Sequence, residues 1–138
     1  MKKLSFDVIT ISGKRKRALA KATIKPGTGK ITFNSRPIEF LSHLRKLSIQ
    51  EPIRLVQNNE MPINFDISVN VKGGGSEGQI EAARLAIARA IVKFTKSLEL
   101  KKIFLDYDRN MLIQDTRRKE AYKPNDSKAR AARQKSYR

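Results

Sequence analysis

The chain has no cysteine and no tryptophan, and its 138 residues include a single histidine, His43. Lack of cysteine excludes disulfides, thiolate nucleophiles and thiolate zinc sites, and one imidazole is too few for the common nitrogen-ligated metal centres. Long hydrophobic runs are missing too. The longest unbroken stretch of Ala, Val, Ile, Leu, Met or aromatic residues is Leu85–Ala88, far short of the roughly 20 residues that cross a bilayer. At the start, Ser5 and Asp7 interrupt what a secretory signal would need as a continuous apolar region, so the chain reads as unprocessed and cytoplasmic. Acidic side chains are also scarce: 13 Asp and Glu face 30 Lys and Arg, for a net charge of +17.

What is present suffices for one domain. Hydrophobic residues make up 39% of the chain, enough for a compact core, while a mean hydropathy of -0.53 leaves the remainder strongly polar. The charge is unevenly placed. Residues 1–30 hold nine basic and one acidic side chain, and residues 109–138 hold ten and three. Between them, residues 31–72 hold five and four, and residues 73–108 hold six and five. A nearly neutral middle with two basic ends is more than solubility requires, and points to an anionic partner.

Alternation predicts four strands. Leu4, Phe6 and Val8 read as one, ending in a turn at Thr10-Ile11-Ser12-Gly13. Ala18, Ala20, Ala22 and Ile24 share one face of a second. Pro26-Gly27-Thr28-Gly29 then turns it into a third, Ile31–Phe33, as a hairpin. The fourth spans Asn64–Val71, with Phe65, Ile67, Val69 and Val71 on one face. Pro37 opens a helix running to about residue 48, and Pro52 either interrupts it or starts a second. Ser76 and Gln79 have the spacing of a capping box for a long helix carrying Ile80, Ala83, Ile87, Ile91, Phe94 and Leu98, with Arg89, Lys93 and Lys96 exposed. Leu98–Tyr107 adds another turn or two. The expectation is an α+β fold: a mostly antiparallel or mixed four-stranded sheet with helices on one face. Residues 1–108 form the body and residues 109–138 a long, extended, basic C-terminal arm.

Three features carry chemistry. Gly73-Gly74-Gly75-Ser76-Glu77-Gly78 fits the dinucleotide pattern G-x-G-x-x-G, which leaves a nucleotide-dependent enzyme as the alternative reading. The chain after Leu105, however, lacks the strand and helix units a dinucleotide domain needs, and Gln79 and Ile80 stand where a phosphate loop has Lys and Ser or Thr. A glycine-lined approach to a helix start beside Lys72 and Arg84 still suits an RNA phosphate; a plain tight turn is the competing explanation. The run Lys14-Arg15-Lys16-Arg17 fits an RNA groove better than a solvated turn or a nuclear-targeting signal. The arm interleaves cations with Tyr122 and Tyr137 and has no apolar face for a membrane surface. His43, four residues after Glu39 within the predicted helix, reads as a surface histidine in a helix-stabilising pair, and no nucleophile and base arrangement stands out.

The stretches Gly13–Ala18, Ile24–Ile31, Val71–Gln79, Ala82–Ala90, Leu105-Asp106 with Arg109, and then Lys119, Lys128-Ala129-Arg130 and Arg138 resemble, in this order, the small-subunit ribosomal protein S-nine family. The ending Gln134-Lys135-Ser136-Tyr137-Arg138 is similar to its archaeal and eukaryotic branch, and the short start favours an archaeal source. The resemblance implies a two-layer body in the head of the small subunit, bound to rRNA and beside neighbouring ribosomal proteins, with no enzyme activity and no cofactor. It implies an arm reaching the peptidyl-site tRNA, where Lys135 and Arg138 touch phosphates of the anticodon stem-loop. Expected rRNA contacts in the body are Lys14, Arg15, Lys16, Arg17, Lys25, Lys30, Lys72, Gly73, Gly74, Gly75, Gln79, Arg84 and Arg89. In the arm they are Arg109, Arg117, Arg118, Lys119, Lys123, Lys128, Arg130 and Arg133.

Overall fold

The two clean alternations build the centre of a mixed sheet. In a computed structural model that describes residues 8–126, 128–132, 134, 135 and 137, strand β2 (Ala18–Pro26) pairs antiparallel with β5 (Phe65–Lys72). Ala20 lies opposite Val71, Ala22 opposite Val69 and Ile24 opposite Ile67, all on the buried side. Strand β1 (Ile9–Arg15) is antiparallel to the outer edge of β2. Leu4 and Phe6 lie outside the described residues. The strand they were expected to form instead runs through Thr10–Gly13, and the chain turns at Lys16-Arg17.

No hairpin joins β2 to the next strand. The turn at residues 26–29 exists, but β3 (Ile31–Phe33) lies on the far side of β5 and parallel to it. The order is β1-β2-β5-β3-β4, so five strands replace the expected four. The extra one, β4 (Arg36–Pro37), pairs with β3 across Asn34 and Ser35, both at positive φ (48° and 65°), as a two-residue hairpin turn requires. Pro37 therefore ends a strand. A 3₁₀ turn (Ile38–Phe40) follows, and helix α1 (His43–Asn58) contains the buried Pro52 in its interior instead of breaking there. Glu39 and His43 consequently belong to separate segments and form no i,i+4 pair within one helix.

Helix α2 (Ser76–Thr95) lies on one face of the sheet, with α1 beside it and α3 (Leu98–Tyr107) after it. Close approach is possible because the sheet offers alanines and one glycine. A Cβ on Gly13 would sit 2.4 Å from the Ala82 carbonyl oxygen and 2.7 Å from the Ala86 nitrogen. Ala82, Ala83, Ala86 and Ala90 are fully buried, as are Ile87 and Ile91; each buried isoleucine contributes about 1.5–3 kcal/mol. Leu98, expected on this stripe, is 75% exposed because it begins α3. The N-cap of α2 is Gly75, with no side-chain cap. Ser76 accepts from Arg45 and Gln79 donates to the Gly73 carbonyl, so the expected capping box does not form.

Packing continues beyond residue 108. A second 3₁₀ turn (Arg109–Met111) buries Met111 completely in the core, and Leu112 packs against it.

Candidate nucleic-acid interface

The β1–β2 turn, the glycine triplet and the root of the arm converge at one end of the sheet. Gly73 and Gly74 take positive φ, 73° and 67°, and press on the turn: a Cβ on either would lie 2.8 Å from backbone atoms of Arg17 or Ala18. These two glycines are therefore held by packing, which favours the tight-turn explanation for them. Gly75 has nothing within 4 Å of a notional Cβ and remains open. Around this junction Lys14, Lys16, Arg17 and Lys72 are exposed, and none of them forms an ion pair among the described residues. Arg118 donates to the Lys16 carbonyl and draws the arm root alongside.

Three arginines expected to contact RNA are half-buried and engage partners within the protein. Arg15 lies 2.5 Å from Glu81 on α2 and 2.5 Å from Asp115 in the arm root. Arg84 meets Glu51 of α1 at 2.5 Å and Asp108 at 2.8 Å, joining α1, α2 and the end of α3. Tyr107 donates to the same Glu51, and that bond, with the charge behind it, raises the pKa of the phenol. Burial would lower the pKa of Arg84, but bonds to Asp108 and Glu51 outweigh it and leave the guanidinium more firmly protonated. Burial likewise opposes ionisation of Asp108, and the bond from Arg84 prevails and lowers its pKa. Arg89 donates to the carbonyls of Leu112 and Ser12. A bond from the Arg117 side chain, joined by its backbone N–H, holds Asp115 at about 2.

The remaining expected residues are spread out. Lys25 and Lys30 are exposed at the opposite end of β2, about 25 Å from the turn at 3.3 Å per residue. There Asp66 accepts from the backbone N–H groups of Lys30 and Thr28, which lower its pKa. Arg109 and Arg117 are exposed at the arm root, although Arg117 shares Asp115 with Arg15. Lys119, Lys123, Lys128, Arg130 and Lys135 are exposed; Arg130 pairs with Glu120 at 2.8 Å and Lys119 sits 4.4 Å from the Tyr122 ring centre. Arg133 and Arg138 lie outside the described residues. Lys21, outside the set expected from the sequence, is exposed, and the burial of Ala20 and Ala22 on either side places it on the solvent side of β2.

Among the described residues, no helix is long and apolar enough to cross a membrane, and no group of three or more His, Asp or Glu is placed to hold a metal ion. The chain matches the family model for ribosomal protein S9/S16 over residues 13–138. It is 45% identical over 136 residues to small ribosomal subunit protein uS9 of Methanococcus vannielii, covering 96% of this chain and all of that protein. Two uS9 proteins of Methanococcus maripaludis are 46% and 45% identical over the same length and coverage.

Proposed function

The chain belongs to the ribosomal protein S9/S16 family, and on that premise we propose that it is a structural constituent of the small ribosomal subunit that binds the subunit's rRNA. Its body sits in the subunit head beside neighbouring ribosomal proteins, in the cytoplasm. Its arm extends from the body to the peptidyl-site tRNA, where Lys135 and Arg138 contact anticodon stem-loop phosphates. The protein acts as architecture and uses neither catalysis nor a cofactor. One observation carries this reading: the likeness to small-subunit proteins over 96% of the chain, a family match that spans residues 13–138 and so runs across the basic turn, the glycine triplet and the arm. Support comes also from the exposed cations Lys14, Lys16, Arg17 and Lys72 at one end of the sheet, which form no ion pair among the described residues. The packing of Gly73 and Gly74 on the β1–β2 turn gives those glycines a use that needs no nucleotide, and so weakens the enzyme alternative.

Competition binding tests the proposal. Full-length protein is expected to prefer transcribed small-subunit rRNA over duplex DNA of equal charge at 150 mM KCl, with affinity falling steeply as salt rises. Equal affinity for both nucleic acids would overturn it. Arg138→Ala is expected to reduce peptidyl-site tRNA retention by reconstituted subunits without altering the melting temperature.

A further inference from the structure

Among the described residues no helix or strand covers the face of the sheet opposite the helices, and that face is basic. The register places Lys14, Leu19 and Lys72 in one row across β1, β2 and β5, with Lys21 and Lys25 farther along the same side of β2. The hydrogen bond between Thr10 and Thr23, 3.1 Å, joins two side chains of this face. An antiparallel sheet can leave one face in water, and a merely solvated face would carry both signs of charge. Here the four lysines form no ion pair within 4 Å among the described residues. The one acid of the face, Asp66, lies opposite Lys25 in the register and feels its charge, but its hydrogen bonds come from the N–H groups of Thr28 and Lys30. Arg15 and Arg84, by contrast, are neutralised internally by Glu51, Glu81, Asp108 and Asp115.

Side-chain chemistry narrows the occupant. Among the described residues of the five strands no aromatic side chain lies on this face, because Phe33 and Phe65 point to the core side, so unstacked bases find no platform there. Among the described residues, Leu19, 40% exposed, and Val8, 58% exposed just beyond the far end of β1, are its large apolar side chains; they stand apart and are too little for a hydrophobic protein interface. A depression of about 560 Å³ beside Leu19 has Lys21 and Lys72 at its rim and Asn34, Ser35 and Asn70 as neutral hydrogen-bonding groups. Cations and small polar groups without aromatics suit the sugar-phosphate backbone of a paired helix.

We propose that the helix-free face of the sheet, through Lys21 and Lys25 with Lys14 and Lys72, is a docking surface for the backbone of double-helical RNA, separate from the Lys16-Arg17 turn. The inference rests on the rRNA-binding reading above and adds the face on which a helix lies. Salt titration of full-length protein against transcribed small-subunit rRNA tests it, comparing wild type with Lys21→Ala/Lys25→Ala and Lys16→Ala/Arg17→Ala. Loss of two phosphate contacts lowers the salt slope by about 1.8, so the affinity advantage of wild type over the Lys21/Lys25 variant shrinks about twelvefold between 50 and 200 mM. Lys21→Arg/Lys25→Arg keeps the wild-type slope, and unchanged thermal melts show that the fold is intact. A Lys21/Lys25 variant with the wild-type slope, beside a turn variant with a lowered one, overturns this face and leaves the rRNA reading standing. Wild-type slopes in both variants overturn this inference and leave the phosphate contacts to the arm, whereas equal affinity of the wild type for rRNA and duplex DNA is the separate result that overturns the rRNA reading. A Lys21/Lys25 variant that binds rRNA normally but loses a subunit protein assigns the face to a protein and also overturns the inference.

Discussion

Residues 109–118 and residues 119–137 have similar polar, basic composition, yet the body treats them differently. The first stretch is fastened: Met111 is fully buried, Arg89 holds the Leu112 carbonyl, Arg15 holds Asp115, and Arg118 donates to Lys16. In the second, every described residue except Asp126 and Ala129 is exposed, and no helix or strand forms among the described residues. Its Arg130–Glu120 pair has side chains 87% and 59% exposed, and such pairs contribute about 0–1 kcal/mol. Net charge alone therefore does not decide which part of a basic tail is fixed. What decides is one apolar anchor and acids placed where body arginines can reach them.

The largest expected effect comes from removing the anchor. Met111→Ala leaves a cavity in a closed core and should cost about 3 kcal/mol, or roughly 10 °C in Tm. If the Tm moves by less than a third of that, residues 109–118 are not part of the cooperative unit. Arg84→Ala ranks next, at about 2 kcal/mol, because it leaves Glu51 and Asp108 close together without their shared cation. The side chains in this cluster are 18–32% exposed, so water relieves part of the penalty. Urea denaturation of the two variants measures both values.

The same contrast explains which parts of the molecule could be read from the sequence. Period-two patterns at Ala18–Ile24 and Phe65–Val71 gave two strands directly, since burial on one face leaves its mark on every second residue. Strand order left no such mark: Ile31–Phe33 pairs with a strand more than thirty residues away, and the Pro-Gly turn before it looks the same whether or not a hairpin follows. Helix α1 was misread because Pro52 signals a break locally, while its burial in the core keeps the helix continuous. Among the candidate site residues, cationic character was legible and direction was not. Arg15, Arg84 and Arg89 differ from Lys14, Lys16 and Lys72 only in what lies opposite them, and Asp108 and Asp115 are distant in sequence. Asp108 and Asp115, on either side of the point where the basic tail begins, were the available clue.

A smaller effect sharpens the boundary. Arg15→Ala should cost about 1 kcal/mol, less than Arg84→Ala because Asp115 keeps Arg117 as a partner. Acid should loosen the same contact. Asp115 titrates at about 2 against an ordinary 3.8, so the folded form binds fewer protons than the unfolded form between these values. Its contribution is complete above pH about 4 and is lost as pH falls towards 2. In Arg117→Ala the carboxylate loses its main partner, and an NMR titration should show its midpoint returning towards the ordinary value.

The smallest effect on stability should come from the largest deletion. Removing residues 119–138 takes away seven cations but no buried side chain among the described residues, so Tm should shift by less than about 2 °C. The salt slope of rRNA binding should nevertheless fall by up to about 6, one phosphate for each cation removed. Deleting from residue 109 instead removes Met111 and Asp115 and should destabilise the body as well, so the two truncations separate fastening from binding. If removal of residues 119–138 unfolds the body, this stretch is fastened too and the contrast with 109–118 fails. If it leaves the slope unchanged, its cations do not meet phosphate, and the body surfaces alone hold the RNA.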